Sequence, residues 1–207
     1  MDGLQNYLEL SADIPGWTRG VEAQALVRFC SAQPDDAVIV EIGAFFGSGS
    51  VLLGGACKVK NSGQVHCVDP FDGSGDPVSV RHYEAIIMAY AGKTQRERFD
   101  GNIRRAGLSE WVHAHQGTAV EVAEHWNTPV DLLFLDGDQS PDGARLAYEA
   151  WSPWLKVGGI LALHNSDPRD YEMGHDGHYQ LTQTVVVEPH YEILELNGTT
   201  TYARKRR

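Results

Sequence analysis

Three clusters of reactive side chains stand out in this chain of 207 residues. Asp136-Gly137-Asp138 closes one apolar run, and His164-Asn165 closes the next. Carboxylates, an imidazole and a carboxamide gathered at neighbouring ends can take a proton from a bound hydroxyl or bind a divalent cation. An imidazole with an ordinary pKa near ~6.5 titrates in the working range, so His164 is a candidate base. The third cluster is the turn Glu41-Ile42-Gly43-Ala44-Phe45-Phe46-Gly47-Ser48-Gly49-Ser50, followed by Asp69 at the end of the next apolar run. Glycines let a chain bend sharply and let a ligand approach its backbone. The dinucleotide fingerprint fits poorly, because Leu52 stands where its third glycine belongs.

Such clusters need rigid elements beneath them. Short β-branched runs alternate with helical patterns, which predicts a parallel sheet with helices on both faces. The expected strands are 37–42, 64–69, 111–115, 130–136 and 159–164. The expected helices are 22–30, 50–57, 80–91, 95–106, 120–126 and 144–155. Tyr191 to Leu196 meets Thr199 to Tyr202 across Asn197-Gly198, a strong two-residue hairpin signal. A mostly parallel, doubly wound α/β sheet therefore ends in an antiparallel hairpin. No repeat or linker divides the chain, so 1–207 reads as one domain, with a helical segment 1–33 and a core 34–207. In such sheets ligands bind beyond the carboxyl ends of the strands, where the clusters lie.

Composition narrows the partners. The net charge of −11 argues against nucleic acid and anionic membranes. No apolar run reaches the ~18 residues of a membrane span and no signal peptide is visible, which predicts a cytoplasmic protein. Cys30, Cys57 and Cys67 sit in apolar runs without metal-ligand spacing, as free thiols in a reducing compartment would.

The order of the motifs resembles one family. Glu41-x-Gly43-x-x-x-Gly47-x-x-Ser50 with Asp69 resembles the cofactor motif of class I S-adenosylmethionine-dependent methyltransferases. Ile14-Pro15-Gly16-Trp17 with Glu22, 68–73, 134–138 with Ser140, and 155–164 resemble its methyltransferase-24 group, kin to sugar and natural-product O-methyltransferases. The resemblance spans about residues 14–204 and implies a Rossmann-like, seven-stranded sheet whose last strand is antiparallel. It also implies a methyl-donor site formed by Glu41, Gly43, Ala44, Phe45, Gly47, Ser48, Ser50, Asp69, Pro70, Phe71, Gly117, Thr118 and Asp136. Asp69 would take the ribose hydroxyls, and the charge of Glu41 would suit a cationic cofactor. Relatives often carry Gly-Asp-Ser after the third strand. Here Gln116-Gly117-Thr118-Ala119 leaves the Thr118 hydroxyl and nearby amides for the adenine, with Phe71 and Trp126 as aromatic candidates for that wall or for the core.

The implied activity is O-methylation of a small hydroxylated acceptor, a sugar or secondary metabolite. Metal-dependent relatives place a cation at the positions of Asp136, His164 and Asn165. Oxygen ligands suit Mg²⁺, and the imidazole widens the choice to other divalent ions. Asp138 resembles the base of the sugar enzymes, and its alternative is a helix cap before Ser140-Pro141. Loops 72–79 and 167–177, the latter with Pro168, Tyr171, Met173 and His175, would shape the acceptor pocket, with a homodimer partner as another source of its walls. His175 and His178 read as unrelated loop histidines. Two other classes stay open: an NAD-linked oxidoreductase, and a cofactor-binding protein without transferase activity.

Overall fold

The β-branched runs do become strands, and they join in one seven-stranded sheet. The computed structural model describes every residue except Met1, Ala91 and Tyr171. Strands β1 (Val38–Ile42), β2 (Gln64–Asp69), β3 (Val112–Gln116), β4 (Val130–Leu135) and β5 (Leu155–Leu163) run parallel. β7 (Thr200–Lys205) lies antiparallel between β5 and β6 (Tyr191–Asn197), giving the order β3-β2-β1-β4-β5-β7-β6. The hairpin turns at Asn197-Gly198, where Gly198 has φ +60°. The strand order reverses between β1 and β4, so the crevice opens where both reactive ends were expected.

Alternation along the strands builds two cores. Ile39, Leu132, Phe134, Ile160 and Ala162 face one side, packed on α1 (Asp2–Ala12), α2 (Gly20–Ser31), α3 (Ser48–Lys60) and α5 (Gln95–Arg105). Val40, Ile42, Leu133, Leu135, Leu161 and Leu163 face the other, under α6 (Ala119–Ala123), α7 (Pro141–Trp151) and α8 (Gly177–Thr184). Successive strand residues point to opposite faces, which is why continuous apolar runs fit a sheet covered on both sides. Helix α4 (Pro77–Ala89) differs: it fully buries only Val78 and Ser79 and reaches over the crevice. Among the described residues no helix is long and apolar enough to cross a membrane.

Several boundaries differ from expectation for local reasons. The expected helical segment 1–33 divides into α1 and α2, and Tyr7 of α1 packs over Gly55, a position where any Cβ would lie 2.3 Å from the ring. Helix α8 arises in a polar stretch with few apolar periodic residues, and only Gly177, His178 and Leu181 are buried there. Ser140 rather than Asp138 caps α7, accepting from the Gly143 amide at 3.0 Å. Pro77 follows its cap Asp76, which accepts from the Val78 and Ser79 amides and starts α4 before Val80. The far end of the expected 80–91 helix, at Ala91, is outside the described residues.

At the β2/β3 edge, His66 and His115 lie 3.0 Å apart, and both rings meet Trp126 edge-on. Burial, then the charges of His115 and His113, push His66 down to about 4. A histidine lowered on folding binds fewer protons folded than unfolded between pH ~4 and ~6.5, so its stabilising contribution falls as pH drops through that window. His178, lowered to about 4 by burial, acts in the same direction. His66→Gln should therefore remove up to about 1.4 kcal/mol per pH unit of slope from urea-unfolding free energies in that range, leaving the shares of His178 and of His115, which burial also lowers. An unchanged slope would contradict the assignment.

Candidate active site

Two adjoining cavities occupy the crevice. One, of about 410 Å³, is lined by Asp69, Pro70, Thr118, Asp138 and neighbouring residues. The other, of about 100 Å³, is lined by Trp17, Glu41, Ser48, Asp136, Gln139 and His164 among others. Gly43, Phe45 and Tyr83 line both. The glycine turn makes this junction. Gly43 has φ +91°, and a Cβ there would lie 2.4 Å from the Asp136 carbonyl oxygen. Gly43→Ala should lower unfolding free energy by about 2–4 kcal/mol in urea melts, because backbone strain and overlap coincide. An unchanged midpoint would show that the turn yields easily. Phe45 also sits at positive φ, +48°, with its amide donating to Asp69 Oδ2 at 2.9 Å. Its ring stacks on Tyr83 with centroids 4.8 Å apart, and Trp17 tilts against both.

The expected donor-site residues divide between these spaces. Glu41, Ala44, Ser48 and Asp136 line the smaller cavity; Asp69, Pro70 and Thr118 line the larger. Four line neither. Gly47 forms the N-cap position of α3, and Ser50 donates to Glu41 Oε2. Gly117, at the end of β3, has its amide bonded to the Asp69 carbonyl. Phe71 is buried against Phe99, with the Arg96 guanidinium over its ring. Trp126 likewise belongs to the core, 5.2 Å from Trp151. The Thr118 hydroxyl is engaged in a capping box with Glu121, so it serves α6 first.

Charge departs from expectation at two residues. Glu41 lies wholly inside the protein, and burial pushes its carboxyl up to about 8 despite hydrogen bonds from Ser50 and Cys67. It is mostly protonated at neutral pH and supplies little negative charge to the site. His164 is 2% exposed, with Nδ1 2.6 Å from Asp136 Oδ1 and Nε2 3.8 Å from Glu22 Oε2. The Nδ1 contact is a close ion pair, off the axis of a well-aligned N–H bond. Burial opposes the imidazolium, but Asp136 and then Glu22 outweigh it and raise His164 to about 10. An imidazolium at neutral pH is a donor, so His164 cannot serve as the base there. Glu22 is in turn held by the Thr199 amide and hydroxyl, each at 2.6 Å.

Asp138 is exposed and accepts from the Ser140 amide at 2.9 Å. It lines the larger cavity, separated from the acid–imidazole pair by Gly137. The two histidines expected to be unrelated loop residues are instead fixed at the site. His175 bridges Asp76, at 3.1 Å, and the Asn165 amide, at 3.3 Å, while His178 bonds the His164 carbonyl at 2.6 Å. Of the acceptor-loop residues, Tyr171 is outside the described residues. Gln139, Tyr83 and Glu22 were not expected as site residues, although Glu22 belongs to the motif block that begins at Ile14.

These engagements bear on the expected cation. A metal at Asp136, His164 and Asn165 would need the imidazole lone pair, which carries a proton in the ion pair. It would also need the Asn165 carbonyl, which lies 3.1 Å from the Thr199 hydroxyl oxygen, whose one proton goes to Glu22 at 2.6 Å. Among the described residues no group of three or more His, Cys, Asp or Glu is arranged to hold a metal. The donor set as folded does not fit a ready-made divalent site.

Comparison with known proteins agrees with the fold and the turn. Solved structures with the same fold include the O-methyltransferase NovP, with TM-score 0.68 and 17% identity over 89% of this chain and 79% of that one. Cofactor-bound Rv0187 from MTB aligns with TM-score 0.68 and 16% identity over 100% and 91% of the two chains. The O-methyltransferase TomG from Streptomyces achromogenes, solved with SAM, aligns with TM-score 0.64 and 15% identity over 100% and 91%. The methyltransferase-domain family model matches residues 40–166, from the middle of β1 past His164-Asn165. That stretch holds the glycine turn, Asp69 and the Asp136–His164 pair on the sheet order described above, and so the chain belongs to the methyltransferase-domain family and has the fold of the class I S-adenosylmethionine-dependent enzymes.

Proposed function

We propose that this protein transfers a methyl group from S-adenosylmethionine to a hydroxyl of a small acceptor, a sugar or secondary metabolite. The observation that carries the reading is the junction: two cavities share Gly43, Phe45 and Tyr83, with Asp136 and His164 on the smaller side. The larger cavity, with Asp69 and Thr118, has room and polarity for a nucleoside. The smaller one combines the Trp17, Phe45 and Tyr83 rings with polar side chains, as a compact hydroxylated molecule requires. The net charge of −11 favours a small acceptor over a polyanion.

When bound, S-adenosylmethionine supplies an electrophilic methyl on a sulfonium. The chain's own residues align and deprotonate the acceptor. Asp136 receives the hydroxyl proton, and His164 orients Asp136 through their ion pair. Asp138, on the other side of Gly137, faces the donor. No step passes through a metal, because the donor set is engaged as described.

Transfer of a labelled methyl from S-adenosylmethionine to a panel of sugars and phenols tests the reading, with calorimetric binding of S-adenosylhomocysteine measured alongside. Binding with turnover on at least one acceptor, undiminished by a chelator, is expected. Donor binding without transfer to any hydroxyl would favour the binding-protein alternative. Binding of NAD in place of the donor would overturn the reading.

A further inference from the structure

Among the described residues three buried carboxamide oxygens lack a hydrogen-bond partner, and two of them belong to residues lining a cavity: Gln95 Oε1 at the larger one and Gln139 Oε1 at the smaller. Native interiors seldom leave such atoms unsatisfied, and one beside a cavity marks a place for a ligand donor. Gln95 is the more informative. It begins α5, is more than nine-tenths buried, and its Nε2 donates to Asp69 Oδ1 at 3.3 Å. That carboxylate settles which end of the amide is nitrogen, since an oxygen there would face like charge. The carbonyl is thus left as a spare acceptor. Gly73, also lining this cavity, is a neighbour of that oxygen, a Cβ there lying 3.9 Å from Oε1.

Asp69 alone has too little capacity for a vicinal diol. A carboxylate offers roughly four lone-pair sites. Three are taken by the Phe71 amide, the Gln95 amide group and the Phe45 amide. About one remains, whereas a ribose edge brings two hydroxyl donors.

We propose that Gln95 is the second acceptor: Asp69 takes one ribose hydroxyl of the methyl donor and Gln95 Oε1 takes the other, so the pair reads an intact cis-diol. The assignment rests on the larger cavity being the methyl-donor site. Gln95 is a specificity residue that touches the ribose, remote from the transferred methyl.

Calorimetry of the full chain with S-adenosylhomocysteine and its 2′-deoxy and 3′-deoxy analogues tests this. The wild type should lose about tenfold in affinity for either missing hydroxyl, as loss of one hydrogen bond implies. Gln95→Met should bind S-adenosylhomocysteine about tenfold more weakly, yet be indifferent to removal of one hydroxyl and still sensitive to the other. Gln95→Asn, which withdraws the carbonyl by one methylene, should behave alike and decides the matter if the methionine variant fails to fold. Wild-type affinity in both variants would overturn the proposal. So would an equal loss for S-adenosylhomocysteine and both analogues, which would mean that Gln95 only shapes the loop. A wild type that binds no S-adenosylhomocysteine would overturn the methyl-donor reading itself, and with it this assignment.

Discussion

His164→Ala should destabilise the protein by about 3–5 kcal/mol at neutral pH, the loss expected when one partner is removed from a buried ion pair. His164 is almost wholly enclosed and lies between Asp136 and Glu22. Without the imidazolium the two carboxylates face a shared cavity with nothing between them. Burial opposes the Glu22 carboxylate, but the hydrogen bond and charge of His164 and the hydrogen bonds from Thr199 hold it down to about 2; without the histidine only the Thr199 bonds still favour its charge. The companion variant Glu22→Gln keeps an oxygen for Thr199 and removes the opposing charge. The double variant should therefore be less destabilised than the sum of the singles, by about 1 kcal/mol or more. Urea melts of the four proteins measure this, and strict additivity would refute the charge argument.

Asp136→Asn should lower kcat by about 10²- to 10⁴-fold, the usual contribution of a positioned base, while donor affinity changes far less. Asparagine keeps the shape and can still accept from His164, but it cannot take the acceptor's proton. Asp138→Asn is the matched control. Its carboxylate lines the donor cavity, so the variant should raise the donor KM and leave kcat within a few-fold. The reverse pattern, with kcat collapsing in Asp138→Asn and surviving in Asp136→Asn, would return the base to Asp138.

Those two aspartates show where sequence reasoning reaches its limit. Both end the same strand, two residues apart, and alternation alone cannot say which faces the acceptor. The structure separates them by the approach of Gly43 to the Asp136–Gly137 backbone, a contact between residues more than ninety positions apart in the chain. Phe71 shows the same limit, because an aromatic after a ribose-side acid suits ligand wall and core equally. Packing against Phe99 decides for the core. His175 and His178 read as unrelated loop residues because their anchors, Asp76 and the His164 carbonyl, come from other elements and leave no local signature.

The sheet, its C-terminal hairpin and the position of the crevice were legible in residue order. They depend on local rules: β-branched runs, strand alternation, and the turn chemistry of Asn197-Gly198. Protonation and ligand capacity were not. Glu41 reads as an anion and is mostly neutral, His164 reads as a titrating base and is held as a cation, and Asp69 reads as a free diol acceptor and is three-quarters occupied. Each of these depends on burial and on partners brought from distant parts of the chain. Such properties exist only once the chain has folded.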